Sequence, residues 1–179
     1  MTNIRQFKNK KPQIGKNVFI DPMACIIGDV KLGDDSSIWP MVVIRGDLEP
    51  ISIGTATNIQ DGSVLHTTRK SKENPNGFPL KVGNHVTIGH SVTLHGCEIH
   101  NLVLIGMRSV ILDGVVIPSN VMIGAGSLVP VNKTLESNYL YVGSPVKKIR
   151  LLTKQELNFL KESSNNYIKT KNEHINMFI

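Results

Sequence analysis

Residues Ile51–Thr68 read ISIGTATNIQDGSVLHTT, and residues Val82–Gly96 read VGNHVTIGHSVTLHG. In both stretches an aliphatic side chain returns every six positions: Ile53, Ile59 and Leu65, then Val82, Ile88 and Leu94. The same step runs back through Ile44, Ile38, Leu32, Ile26 and Ile20 to Ile14. With one residue dropped, it runs forward through Ile99, Ile105, Ile111, Ile117 and Ile123 to Val129. A second series stands four residues after most of these: Val18, Ala24, Val30, Ser36, Val42, Thr57, Ser63, Val86, Val92, Val103, Ser109, Val115, Val121 and Ser127, all small or β-branched. Glycine often follows the aliphatic, as at Gly33, Gly54 and Gly106, where a turn with permissive φ is expected.

A six-residue step is neither the 3.6 of a helix nor the simple alternation of a free strand. It fits an all-β solenoid in which each hexapeptide supplies one short strand and one turn. Three hexads close a triangle, so the series predicts about six coils stacked at the ~4.8 Å strand spacing. The narrow interior agrees with an aromatic content of only 5%. The period places this parallel β-helix over residues 12–150, in a single domain spanning 1–179. Residues 67–81, rich in Lys, Asn, Pro and Gly, leave it as an excursion loop. Past Val129 the period is expected to fail. The capping box Thr153-Lys-Gln-Glu156 then opens a helix over 153–168, packed alongside the coil through Leu157 and Leu160. Residues 169–179 read as a polar, fraying tail.

Composition narrows the partners. The net charge is +6, with lysines and arginines gathered near the ends and no interleaved aromatics or binding motif, so nucleic acid is not expected. No apolar run reaches the ~18 residues of a membrane span, and residues 1–15 lack an apolar signal core. Cys25 and Cys97 stand alone without CxxC spacing, in keeping with a reducing cytoplasm.

The repeat also assigns side chains to corners of the prism. Arg45, His66 and His95 directly follow Ile44, Leu65 and Leu94 of one column, so they stack on consecutive coils. Two imidazoles one strand spacing apart can share an ion, since Zn–N bonds are about 2.0–2.1 Å. His90 lies two places after Ile88, in a different column, directly above Asp61 and beside Gln60. One chain cannot easily bring His90 to the other two, whereas a second copy can. A closed threefold ring suits a triangular prism and predicts a homotrimer with His66, His90 and His95 as metal ligands at each interface. Three imidazoles leave positions open for water, the arrangement of catalytic zinc. Zinc is the expected ion, with iron(II) and cobalt equally served by such a site. An Arg45–Asp61 pair is expected across the interface, with Asp47 holding Arg45 and Gln60 orienting bound water. His85, His100 and His174 carry no such registration and read as surface residues.

The constellation Arg45-Gly-Asp47, Asn58-Ile-Gln60-Asp61, His66, His90 and His95 resembles the γ-class carbonic anhydrases and their shorter YrdA-like and PaaY-like bacterial relatives. The motifs NIQDGSVLH, VTIGHSVTLHGC and IGAGSLV occur in the expected order, and the resemblance covers nearly the whole chain. It implies a left-handed coil, the opposite of the general crossover rule. It also implies two histidines from one subunit and the one matching His90 from its neighbour. The implied reaction is attack of a metal-bound hydroxide on CO2 to give bicarbonate, in a lyase. Tyr167 matches a tyrosine that reaches the pocket in some members; plain helix packing is the other reading. The excursion after Arg45, GDLEPIS, is short and carries only Glu49 beyond Asp47, so proton export is expected to be slow or to rely on buffer. Two other functions remain open. Gly143-Ser-Pro-Val-Lys147 resembles the segment near coenzyme A in hexapeptide-repeat acyltransferases, and a catalytically silent metal-bearing scaffold fits the same residues.

Overall fold

The computed structural model describes residues 3–177. The short strands lie on three faces. Along one face Ile26, Ile44, Leu65, Leu94, Ile111 and Val129 sit in direct parallel register. A second carries Ile20, Ile38, Ile59, Ile88, Ile105, Ile123 and Tyr141 in register. On the third, Ile14, Leu32, Ile53, Val82, Ile99 and Ile117 stack in the same way. Both hexad series point inward: Ile59, Ile88, Leu94, Ser63, Val86 and Val92 are all fully buried. Serine and threonine are tolerated there because their hydroxyls reach main-chain carbonyls, as Thr57 Oγ1 does to Gly83 O at 2.8 Å.

The stack is a parallel β-solenoid of about eight turns, two more than the hexad count predicted. The six-step does not stop at Val129. Leu135 and Tyr141 keep it, both 4% exposed. Lys133, four residues after Val129, breaks the accompanying small-residue series and so masks them in the sequence. Below the first hexad, Ile4 pairs with Ile26, a spacing outside the period. The excursion also ends earlier than 81. Leu80–Val82 already pairs with Ile51–Ile53, with Leu80 and Val82 turned inward and Lys81 outward.

The glycines do a different task from the one expected. Left-handed backbone falls three residues after the aliphatic, largely on Asn17, Asp35, Ala56, His85, Leu102, Arg108, Asn120 and Asn138. Gly33 and Gly106 are needed for close approach instead. A Cβ on Gly33 would lie 2.6 Å from the Gly54 carbonyl carbon, and one on Gly106 2.5 Å from the Ala125 nitrogen.

The C-terminal helix is Lys154–Met177, nine residues beyond its expected end at 168. Its start has the expected reciprocal bonds: the Thr153 amide donates to Glu156 Oε2 at 2.8 Å, and the Glu156 amide to Thr153 Oγ1 at 3.2 Å. Polar composition from Lys169 onward suggested fraying, but tertiary contacts hold these turns. Lys171 is wholly buried, with Nζ 2.8 Å from Asn172 Oδ1 and 3.3 Å from Asp35 Oδ1. His174 is not free on the surface as expected: its ring meets Trp39 edge-on at 5.1 Å and Phe19 at 5.5 Å. His85 also serves the helix, its Nδ1 lying 3.2 Å from Ser164 Oγ. The end of the expected tail, 178–179, lies outside the described residues. No helix among the described residues is long and apolar enough to cross a membrane.

Candidate metal centre

In-register pairing of Val64–His66 with Thr93–His95 brings His66 and His95 together, since a parallel ladder sets equivalent residues side by side. His66 Nδ1 is 3.1 Å from His95 Nε2. Each ring's other nitrogen meets a carboxylate: His66 Nε2 lies 3.1 Å from Asp47 Oδ1, and His95 Nδ1 lies 2.8 Å from Asp113 Oδ1. Carboxylates accept and do not donate, so these contacts put the imidazole hydrogens on the outward nitrogens. The two inward nitrogens then meet lone pair to lone pair, a posture that calls for a proton or a metal cation between them. Two nitrogens bound at about 2.0–2.1 Å to one tetrahedral ion stand roughly 3.3 Å apart, close to the spacing here. The donor set therefore fits a metal.

Arg45 holds Asp47 at 2.8 Å through NH1, as expected of that pair, and keeps an exposed side toward solvent. Burial alone would raise the Asp47 carboxyl, but hydrogen bonds from Arg45 and His66 outweigh it and hold the group below its usual range. Burial pushes His66 below its usual value, against the opposing pull of Asp47.

His90 stands on a different corner, half exposed, with Nδ1 3.0 Å from Asp61 Oδ2. Two of the three expected ligands are thus together and the third is not. Among the described residues no group of three or more His, Cys, Asp or Glu side chains is arranged to hold a metal. Asp61 makes no pair with Arg45 inside one chain; its partner is His90. Gln60 is buried, and its Nε2 donates to Asn58 Oδ1 at 3.1 Å. Asn58 in turn donates to Thr87 Oγ1 at 3.0 Å, and Thr87 meets Ser163 of the helix at 3.0 Å. This chain fixes the Gln60 amide with its carbonyl oxygen unspent. Tyr167 packs edge-on against Trp39 at 5.8 Å, and burial, followed by the negative charge of Asp61, pushes its phenol up.

Sequence reasoning missed Asp113 and Thr68. Asp113 lies two places after Ile111, on the coil above His95, one place past Leu112, which continues the histidine column, so the column alone does not find it. Thr68 has no signal in the period either, because it belongs to the excursion loop and the loop's path is not periodic.

A family model described as bacterial transferase hexapeptide (six repeats) matches residues 11–46. Protein YrdA of Escherichia coli (strain K12) is 57% identical over 172 residues, which span 96% of this chain and 94% of that one. A carbonic anhydrase of Geobacillus kaustophilus (strain HTA426) is 42% identical over 166 residues, 93% of this chain and 87% of its own. Among solved structures, a hexapeptide transferase family protein from Anaplasma phagocytophilum superposes with a TM-score of 0.88 at 36% identity, covering 95% of this chain and 96% of that one. With these likenesses running nearly end to end, the chain belongs to the hexapeptide-repeat family, among the proteins named YrdA and the γ-carbonic anhydrases.

Proposed function

We propose that the chain is a γ-type carbonic anhydrase-like metalloprotein, a lyase that interconverts CO2 and bicarbonate as a homotrimer. The observation that carries this reading is the pair of inward nitrogens, His66 Nδ1 and His95 Nε2, 3.1 Å apart, with the other nitrogen of each ring set against its own carboxylate. Carboxylate-backed imidazoles are the usual support of metal-binding histidines. His90 has the same backing from Asp61, which supports its role as the third ligand, supplied by a neighbouring copy. Zinc held by these imidazoles would act as a Lewis acid and bring the pKa of water down toward about 7.

The chain's own residues do the rest. Asp47 fixes the ring orientation of His66. Gln60, its amide nitrogen tied to Asn58, offers a carbonyl oxygen to accept a hydrogen from the attacking water and aim its lone pair at carbon. Tyr167, with its phenol pushed up, stays neutral and able to donate to a bicarbonate oxygen. Arg45 has a free edge for Asp61 of a neighbour, which would fasten the interface beside the site. Carbonic anhydrases among the relatives support the reaction class.

The transferase name of the family model and of the Anaplasma neighbour favours a second reading, acyl transfer from coenzyme A. Metal analysis of the purified protein separates the two, followed by stopped-flow CO2 hydration. The anhydrase reading expects about one ion per chain, and hydration that a chelator removes and zinc restores. A metal-free protein that acetylates an amine or hydroxyl with acetyl coenzyme A would replace it. A metal-loaded protein without hydration activity would leave only a scaffold.

A further inference from the structure

Asp113 is seated more firmly than a solvent-facing carboxylate requires. Oδ1 lies 2.8 Å from His95 Nδ1, while Oδ2 accepts from Thr68 Oγ1 at 2.9 Å. Thr68 stands at the mouth of the excursion loop. Its main chain exchanges two hydrogen bonds with Phe78, at 2.8 and 3.2 Å, which zip the loop's two ends together. Phe78 lies over the corner formed by Gly96 and Gly114. A Cβ on Gly96 would strike the Asp113 carboxylate and come within 2.5 Å of Phe78 Cβ. Gly96 also has a positive φ of 51°, so the backbone beside His95 is shaped to admit both groups. Three separate segments, the loop mouth, the turn after His95 and the turn after Ile111, thus converge on one carboxylate.

We propose that Asp113, held by Thr68, is the positioning residue that fixes the Nδ1–H tautomer of His95, and that the excursion loop tunes metal affinity through it. Because a carboxylate can only accept, the bond to Nδ1 keeps the Nε2 lone pair directed at His66. Thr68 donates its single hydroxyl hydrogen to the other oxygen, which stops the carboxylate from rotating. The metal part of this inference rests on the proposed function; the tautomer part does not.

The experiment takes the full-length protein with 15N-labelled histidine and reads the His95 ring nitrogens by NMR without metal, then titrates it with zinc alone. Wild type is expected to show a protonated Nδ1 and an unprotonated Nε2. Asp113→Ala should mix the tautomers and weaken zinc binding about 10- to 100-fold. Asp113→Asn, whose carbonyl still accepts, should recover the tautomer and part of the affinity, and Thr68→Val should weaken zinc binding less than Asp113→Ala. If Asp113→Ala merely lowers the melting temperature while tautomer and zinc affinity stay at wild-type values, the role is structural and the proposal is overturned. Should wild type bind no zinc, the proposed function fails and takes the loop-tuning claim with it, while the ring spectra still decide the positioning claim for Asp113.

Discussion

The rings of His66 and His95 face each other, and the outer nitrogen of each meets a carboxylate, Asp47 or Asp113. Two lone pairs turned toward each other in that posture would repel, so a cation between them would stabilise the arrangement. His90 makes its own carboxylate contact at a distant corner, where truncation leaves no buried charge behind. We therefore expect His90→Ala to lose the metal, measured by elemental analysis, while the melting curve of the metal-free protein is unchanged. Full metal occupancy in that variant would remove His90 from the ligand set. The two facing histidines were legible in the sequence because a parallel, in-register stack converts position in the repeat directly into position in space. Thr68 was not, because a hydrogen bond delivered by an aperiodic loop leaves no trace in the period.

The C-terminal helix is governed by two ionic devices of different kinds. At its start, Arg150 and Thr153 hold the partly buried Glu156 carboxyl down to about 2, well below its ordinary 4.5. A depressed carboxylate contributes stability that is present above the ordinary value and lost as pH falls through the folded one. Thermal melts of wild type should therefore decline from pH 5 toward pH 2 more steeply than those of Glu156→Gln; parallel declines would contradict this. Further along, Lys171 is buried while its partner Asp35 is 40% exposed on its side chain. Removing Asp35 strands a buried cation with only Asn172, whereas removing Lys171 leaves an aspartate that can rehydrate. Asp35→Asn, which keeps a residue suited to the left-handed backbone at this position, is expected to destabilise by about 3 kcal/mol and Lys171→Met by less, a ranking that chemical denaturation reads. The helix's beginning was legible in its capping box. Its end was not: Lys171 and His174 look like solvated tail residues until Asp35, Trp39 and Phe19 are placed against them.

The whole molecule is a stack in which the hexad alone specifies three faces and nearly all of the core. What the period hid were the margins, Ile4 below and Leu135 and Tyr141 above, where accompanying residues depart from the small or β-branched pattern. In the proposed trimer, assembly would set the chemistry that the stack can perform, since the candidate ligands occupy two corners that one chain keeps apart. The carboxylates that border the His66–His95 corner, Asp47 and Asp113, are already engaged by the two imidazoles, so hydration should speed up several-fold as imidazole buffer is raised; a rate independent of buffer would show that an internal relay exists. The most direct measurement is an anomalous-difference map at the zinc edge from crystals of the purified protein. The account predicts one peak per chain, between His66 and His95 of one copy and within bonding distance of His90 of its neighbour. A map without a peak there, or with a peak that His90 does not reach, would contradict it.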